Sequence, residues 1–110
     1  MLNPGNTPTL NNLACIYFTK KDYSKAIVMY KKAIEIQPTY LDPYTNIAAS
    51  YLTLGKFDSG VYYLYMAISM DPGFNAAYEL LATAYRANGK MDSAGKYLVI
   101  AQKKNPGFKL

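Results

Sequence analysis

Few side chains in this 110-residue chain are suited to covalent or acid–base chemistry. Cys15 is the only cysteine and histidine is absent, so the sequence offers neither an internal disulfide nor a Cys/His zinc site of ordinary spacing. The lack of histidine also removes the commonest general base and leaves seven carboxylates and the lysines as candidate catalysts. No residue near Cys15 in the sequence would stabilise its thiolate, so we interpret it as a small packed or groove-edge residue. We therefore expect no enzyme activity, no cofactor and no metal.

Two asparagines have a spacing that suits binding rather than catalysis. Asn12 and Asn46 lie 34 residues apart, and each is followed by one aliphatic residue and an alanine. An amide side chain offers both donors and an acceptor, so it pairs with a peptide group whatever side chain that group carries. On neighbouring packed helices, about 10 Å apart, two such amides would span about three residues of an extended peptide. Two interpretations stay open: a pair of backbone-binding amides, or solvated asparagines on a polar face.

The elements that must position these side chains follow from an internal repeat. Proline recurs at intervals of 34 residues, at Pro4, Pro38, Pro72 and Pro106. Within each interval apolar residues recur at spacings of three and four, twice over, which predicts a pair of helices per repeat. The first helices are predicted at about residues 9–20, 41–54 and 75–88, and the second helices at about residues 23–36, 57–70 and 91–104.

Turn residues and small residues support these pairs. Gly55 and Gly89 suit the left-handed residue that ends a helix, and Lys21 holds the equivalent place in the first repeat. The prolines stop the second helices because proline cannot donate the next backbone hydrogen bond. Small residues at matching positions allow the paired backbones to approach closely, at Ala14, Ala48, Ala82, Ala26, Gly60 and Ala94.

At these positions the chain resembles the tetratricopeptide repeat (TPR) family, whose units are 34-residue antiparallel helix pairs with a similar pattern of small and large residues. The pattern is carried in the first repeat by Leu10, Leu13, Ala14, Tyr17, Ala26, Tyr30, Ala33 and Pro38, in the second by Tyr44, Ile47, Ala48, Tyr51, Gly60, Leu64, Ala67 and Pro72, and in the third by Tyr78, Leu81, Ala82, Tyr85, Ala94, Leu98, Ala101 and Pro106. The resemblance implies an all-α fold, a right-handed α-solenoid of three antiparallel helix pairs. It places the repeats at about residues 7–40, 41–74 and 75–108, with residues 1–6 as the tail of an upstream repeat.

The resemblance further implies that one face of each first helix lines a concave groove that holds a peptide or another protein. The expected groove residues are Asn11, Asn12, Cys15 and Thr19 in the first repeat, Thr45, Asn46, Ala49 and Thr53 in the second, and Glu79, Leu80, Thr83 and Arg86 in the third. We expect Asn12 and Asn46 to bind peptide backbone, although Leu80 interrupts the asparagine register in the third repeat. Selectivity is expected from Thr45, Thr53, Glu79 and Arg86.

A sharper alternative is the carboxylate clamp with which chaperone-binding members of this family hold a C-terminal carboxylate. In this sequence the clamp positions hold Asn11, Cys15, Asn46, Ala76 and Leu80. Only Asn46 matches and the required cations are missing, so we do not expect chaperone tails of that type to bind.

The outward faces of the second helices and the end of the chain suggest other contacts. An exposed apolar patch on the convex side is predicted at Tyr62, Tyr65, Met66, Val99 and Ile100. The alternative is that some of these side chains are packed between repeats. Gln102 and Lys104 replace apolar residues of the earlier repeats, which indicates that the third repeat faces solvent or a polar cap.

The charge pattern and the apolar stretches limit the partners. The net charge of +5 is divided between basic first and third repeats and an acidic middle repeat, so we expect no nucleic acid as partner. No apolar stretch approaches the roughly 18 to 20 residues of a membrane span, so we expect a soluble protein without membrane insertion and take the cytoplasm as its default location.

The leading hypothesis for the function is a non-catalytic module that binds an extended peptide or partner protein in the groove. The alternative is a structural scaffold segment that forms a homo-oligomer through the convex patch or the open solenoid ends.

Overall fold

The computed structural model describes residues 6–110, which form six α-helices joined by short turns. The helices are α1 (Thr7–Thr19), α2 (Tyr23–Ile36), α3 (Asp42–Thr53), α4 (Phe57–Met70), α5 (Asn75–Ala87) and α6 (Met91–Lys104). The predicted second helices are confirmed at both ends, and the first helices begin and end within two residues of the predicted positions. None of these six helices is both long and apolar enough to cross a membrane. The prediction that residues 1–6 end an upstream repeat falls, apart from Asn6, outside the described residues.

The helix ends follow from local chemistry. The side chain of Asn6 accepts a hydrogen bond from the backbone N–H of Thr9 at 3.0 Å and begins α1. The side chain of Asp22 caps α2 in the same way, through the N–H of Lys25 at 3.3 Å. Each second helix ends two residues before the repeated proline, as the missing proline N–H requires.

The helices pack as consecutive antiparallel pairs, α1 with α2, α3 with α4 and α5 with α6. Successive pairs join through α2 with α3 and α4 with α5. The backbones of α1 and α3, and of α3 and α5, also come into contact, whereas those of α2 and α4, and of α4 and α6, do not within residues 6–110. The first helices therefore lie closer together and form the inner, concave side of a solenoid of three pairs.

Small and large side chains occupy the core positions that the repeat pattern predicts for them. Alanines at the matching positions of the paired helices are buried, among them Ala14, Ala26, Ala48, Ala82 and Ala94. The largest fully buried side chains are Tyr30, Tyr44, Ile47, Leu64 and Leu81. Small residues let the paired backbones approach, and the large side chains fill the space between successive pairs.

Candidate functional site

Three polar side chains meet where α1 packs against α3 on the inner side. Asn46 Nδ2 donates a hydrogen bond to Asn11 Oδ1 at 3.1 Å and a longer one to Cys15 Sγ at 3.6 Å. The hydroxyl of Tyr30 donates to the same sulfur at 3.2 Å. Burial raises the pKa of Tyr30, and its hydrogen bond with Cys15 raises it further. The structure thus brings the predicted groove residues Asn11, Cys15 and Asn46 into one cluster, and we call Asn11 and Asn46 the asparagine pair.

The asparagine pair leaves one donor and one acceptor without a partner. Within residues 6–110 no hydrogen bond uses Asn11 Nδ2 or Asn46 Oδ1. Neither atom is among the fully buried and unpaired side-chain atoms of the described residues, but Asn11 as a whole is only 5% exposed and Asn46 is half-buried, so their exposure is small. A free amide N–H and a free amide C=O match the C=O and N–H of a peptide backbone.

Asn12 is not part of this cluster, although it shares its register with Asn46. Its side chain is exposed, whereas Asn46 is half-buried. Asn46 lies on the face of α3 that packs against α1, and the same face of α1 is not covered by a helix within residues 6–110. The hydrogen-bond partner of Asn46 is therefore Asn11, and the binding of one peptide backbone by Asn12 and Asn46 together stays a prediction.

A pocket lies where α3 packs against α5, on the same inner side. Its volume is about 380 Å³, and four predicted groove residues line it: Ala49, Thr53, Leu80 and Thr83. The lining is completed by residues that the sequence did not single out as functional, namely Leu52, Gly55, Phe57, Ala84, Ala87 and Asn88. The interruption of the asparagine register by Leu80 was the one sequence signal for this pocket, because an apolar residue replaces an amide there.

The remaining predicted groove residues are largely engaged with their own helices. The hydroxyls of Thr19 and Thr45 donate to the backbone carbonyls of Cys15 at 2.9 Å and Asp42 at 3.2 Å. Glu79 Oε2 accepts hydrogen bonds from Asn75 at 3.3 Å and Asn105 at 3.0 Å. Arg86 is exposed in the last turn of α5.

The residues of the predicted convex patch differ in environment. Tyr62 and Val99 are 58% and 57% exposed. Met66 and Ile100 are half-buried, and Met66 packs against a core cluster that includes Tyr44 and Leu64. Tyr65 is 40% exposed as well, so three side chains of the patch are exposed.

Tyr65, the fifth residue of that patch, joins one helix pair to the next. Its hydroxyl lies 2.6 Å from that of Tyr85 and 3.0 Å from that of Tyr97, whose rings stack with a centroid distance of 5.6 Å. Burial raises the pKa of Tyr65, and the two hydrogen bonds add to this effect.

Lys31 occupies the same position in the first repeat. Its ammonium lies 5.7 Å from the ring centre of Tyr51, and a hydrogen bond with Tyr51 raises the pKa of Lys31. Side chains at this position of the second helix, Lys31 in the first repeat and Tyr65 in the second, thus contact the following repeat.

These features define the class of the protein: an all-α helical-repeat solenoid whose inner surface is built from the first helix of each pair. The chain belongs to the tetratricopeptide repeat family. Family models described as tetratricopeptide repeat match residues 8–40 and 29–61. The TPR2B domain of yeast Sti1, in a structure of its complex with pHsp70, is 31% identical with a TM-score of 0.85, and the match covers 90% of this chain and 79% of that one.

Other solved structures share the fold. MamA is 28% identical with a TM-score of 0.86 over 96% of this chain, and this chain spans only 61% of the length of that protein. The first TPR of Spaghetti (RPAP3), bound to the HSP90 peptide SRMEEVD, has a TM-score of 0.88 at 24% identity, with 96% of this chain and 84% of that chain covered. At that level of identity the likeness concerns the fold alone.

Proposed function

We propose that the chain is a non-catalytic protein-interaction module of three repeats, at about residues 7–40, 41–74 and 75–108, that holds an extended peptide in its concave groove. The observation that carries this proposal is the free donor of Asn11 and the free acceptor of Asn46 at the contact between α1 and α3. Every peptide group has one N–H and one C=O, so the pair fits backbone of any sequence. The hydrogen bond between the two amides holds both in place before the ligand arrives, which lowers the entropy cost of binding.

The comparison with the Sti1 domain supports a peptide or protein as the partner, because that related domain is in complex with pHsp70. The mode of recognition proposed here is nevertheless different from a carboxylate clamp. The clamp positions hold Asn11, Cys15, Asn46, Ala76 and Leu80, and none of these is a cation. Backbone recognition by the asparagine pair therefore replaces recognition of a terminal carboxylate.

The selective contacts are proposed to come from residues that flank the asparagine pair. Thr45 and Thr53 lie on α3, and Arg86 on α5 is the exposed cation of the groove face. Glu79 holds the start of α5 to the end of α6 through Asn75 and Asn105, so its role is to position these elements while its carboxylate presents negative charge.

The proposal is tested by selecting peptides from a random phage-displayed library on the wild-type domain and measuring their affinity by fluorescence anisotropy. Asn46→Ala removes the free acceptor and the bond that orients Asn11. Two hydrogen bonds at roughly 0.5–1.5 kcal/mol each predict a loss of about tenfold in affinity. Asn12→Ala removes an exposed amide at the same register and separates this proposal, in which affinity should not change, from the predicted pair of Asn12 and Asn46, in which affinity should fall as well. Equal effects of the two substitutions, or no effect of Asn46→Ala, would contradict the proposal.

A second candidate function, self-assembly, is favoured by one side chain on α1. Ile16 is 52% exposed, whereas Ser50 and Ala84, at the same register of α3 and α5, are 0% and 3% exposed. Ser50 and Ala84 face the preceding first helix, so Ile16 presents an apolar side chain on a face that a second copy of the chain is proposed to cover. Sedimentation of the wild type at rising concentration, beside Ile16→Ser, tests this. Association that Ile16→Ser abolishes is the expected result, and a wild type that stays monomeric would rule it out.

A further inference from the structure

We propose that the convex face is a second binding surface, which holds an acidic segment of a partner protein that carries an aromatic or aliphatic residue between its carboxylates. This convex surface is formed by the outward sides of α2, α4 and α6. It is separate from the concave groove, so the inference does not depend on the function proposed for that groove.

The positive charge of the molecule is concentrated away from the groove. Of the twelve lysines and arginines, six lie on the second helices, five lie between helices or after α6, and only Arg86 lies on a first helix. The six cations of the second helices are all exposed: Lys25, Lys31 and Lys32 on α2, and Lys96, Lys103 and Lys104 on α6. Each second helix carries only one carboxylate, so the convex side is the basic side of the solenoid.

Most of these lysines have no carboxylate partner of their own. Within residues 6–110 the one ion pair joins Lys25 to Asp22, at 3.9 Å. The ammonium groups of Lys31 and Lys96 lie over the rings of Tyr51 and Tyr97, where they keep their charge. The carboxylates of a partner therefore meet cations that need not give up an existing ion pair.

Between the two basic helices, the outward side of α4 is uncharged beyond its first turn and rich in tyrosine. Asp58, in that turn, is the only charged residue of α4. Tyr62 and Tyr65 are exposed and lie one helical turn apart, and Ser69 follows on the same side. An exposed tyrosine suits protein contacts because its ring buries a large apolar surface while its hydroxyl keeps a hydrogen bond. This side of α4 therefore fits an apolar side chain with carboxylates on either side of it.

A furrow between α4 and α6 adds a hydrogen-bond donor to this surface. Both helices pack against α5, and their backbones do not contact each other within residues 6–110. The hydroxyl of Tyr65 meets those of Tyr85 on α5 and Tyr97 on α6, at 2.6 Å and 3.0 Å. Three hydroxyls carry three protons and these two contacts use two of them, so one O–H remains to donate. With Lys96 beside Tyr97, this donor suits a group that only accepts, such as a carboxylate.

The same features disfavour other occupants of a basic surface. A nucleic-acid strand binds by stacking its bases on aromatic ring faces, but the rings of Tyr78 and Tyr85 already stack against Tyr97. The basic helices are also separated by α4, so the cations do not form one continuous track for a phosphate backbone. A second copy of the chain carries the same net charge of +5, and two basic convex surfaces repel each other.

The width of the surface sets the length of the segment. Packed helices lie about 10 Å apart, so the lysines of α2 and α6, on either side of α4, are separated by at least about 20 Å. An extended chain advances about 3.3 Å per residue and needs about six residues or more to cross that distance. The segment therefore carries carboxylates near both ends and its apolar residue near the middle.

The test starts from peptides selected on the wild-type domain, at low salt, from a random phage-displayed library. We expect one class of selected peptides to have Asp or Glu on both sides of an aromatic or aliphatic residue. Fluorescence anisotropy should show that this class binds Asn46→Ala as tightly as the wild type. Replacement of its carboxylates by amides should weaken binding about tenfold, and added salt should weaken it as well.

Charge reversal on the domain locates the binding surface. Lys32→Glu combined with Lys96→Glu reverses one cation on each side of α4 and should weaken these peptides by about tenfold or more. Lys56→Glu combined with Lys90→Glu is the matched control. It changes the net charge equally at two exposed residues that precede α4 and α6, and it should change affinity less than about twofold because salt screens distant charges.

A second pair of variants tests the apolar contact. Tyr62→Ser removes the most exposed ring of the surface and should weaken the peptides several-fold. Leu54→Ser, in the turn between α3 and α4, removes an exposed apolar side chain elsewhere and should leave affinity unchanged. Helicity and Tm of every variant are measured first by circular dichroism.

The outcomes separate this surface from the groove. Peptides that are lost with the convex lysines and kept by Asn46→Ala support the convex surface even where no peptide uses the groove. Equal losses in both charge-reversed variants would reveal a response to net charge alone, and a selection whose peptides all depend on Asn46 would leave only the groove; either result overturns the inference. A poly(U) oligonucleotide or phosphatidylserine vesicles that displaced the peptide and bound more tightly through the same lysines would overturn the assignment of an acidic protein segment.

Discussion

Each turn inside a helix pair requires one residue with positive φ, and glycine occupies only two of the three positions. Gly55 has a φ of 77° and Gly89 of 76°, while Lys21 has a φ of 65° in the first repeat. The following N–H bonds back to the carbonyl five residues earlier, at 2.9 Å from Asp22 to Tyr17, and the other two turns have the same bond. Lysine is strained in this conformation because its Cβ crowds the following carbonyl oxygen, at a cost of about 1 kcal/mol.

Lys21→Gly should therefore stabilise the domain by about 0.5–1 kcal/mol, since it removes the strain and leaves the backbone hydrogen bonds unchanged. The reverse substitution is Gly89→Ala, whose added Cβ would meet no atom within 4 Å and would act through the backbone alone. It should cost about 1 kcal/mol. Urea denaturation followed by circular dichroism measures both, and a Lys21→Gly variant less stable than the wild type would refute the strain argument.

At the scale of the elements, Gly60 fixes how closely α4 approaches α3. A Cβ added there would lie 2.7 Å from Leu52 Cγ and 3.3 Å from the carbonyl oxygen of Ala48. Alanine occupies this register in α2 and α6, as Ala26 and Ala94, and both are buried there. Leu52, which has no counterpart of the same shape in the other repeats, is thus the reason that glycine is required in the second repeat.

Gly60→Ala should destabilise the domain by about 1–3 kcal/mol through overpacking, although alanine alone favours a helix by about 1 kcal/mol over glycine. In a Leu52→Ala background the obstacle is gone, and the same substitution should become neutral or stabilising. The difference is a coupling energy of at least about 0.5 kcal/mol, measured as a double-mutant cycle by urea denaturation. Additive effects of the two substitutions would show that Leu52 is not the obstructing group.

The elements were largely predictable, because proline, glycine and the spacing of apolar residues act locally on the backbone. The ends of α2, α4 and α6 follow from those signals alone. The direction of long side chains was less predictable. Tyr65 was assigned to the convex surface from its outward-facing register on the second helix. It is 40% exposed, but its hydroxyl also reaches Tyr85 and Tyr97 of the next repeat.

The sequence predicted which positions contribute to the candidate site, but not which of these side chains contact one another. The repeat register gives Asn12 and Asn46 the same place on their helices, yet it does not tell which neighbouring helix each one faces. Only packing decides that Asn46 meets Asn11, because this depends on the offset between α1 and α3. The pocket beside Leu80 depends in the same way on side chains from α3, α4 and α5, which lie far apart in the sequence.

At the scale of the whole molecule, tyrosine hydroxyls of the first and second repeats, whose pKa burial raises, make stability depend on pH in the alkaline range. Burial is the first cause that raises the pKa of Tyr30, Tyr44, Tyr63 and Tyr65 above the ordinary value of 10.0. A raised pKa means that the folded state favours the neutral phenol more than the unfolded state does. The resulting stabilisation is complete below about pH 10 and is lost as the pH rises from there through the higher pKa of the folded state.

We therefore expect a Tm that is nearly constant between about pH 7 and pH 9 and falls steeply above pH 10, as the unfolded chain releases its phenolic protons first. Thermal unfolding by circular dichroism at each pH, with tyrosinate absorbance read in parallel, measures this pH dependence of the Tm.

Tyr30→Phe removes the most buried of these hydroxyls, so it should lower the Tm at neutral pH and make the alkaline decline of the Tm shallower. Tyr62→Phe removes an exposed hydroxyl for which no hydrogen bond is found within residues 6–110, and it should leave the profile unchanged. A decline that begins well below pH 9, or one that Tyr30→Phe does not alter, would show that groups other than the buried tyrosines control alkaline unfolding.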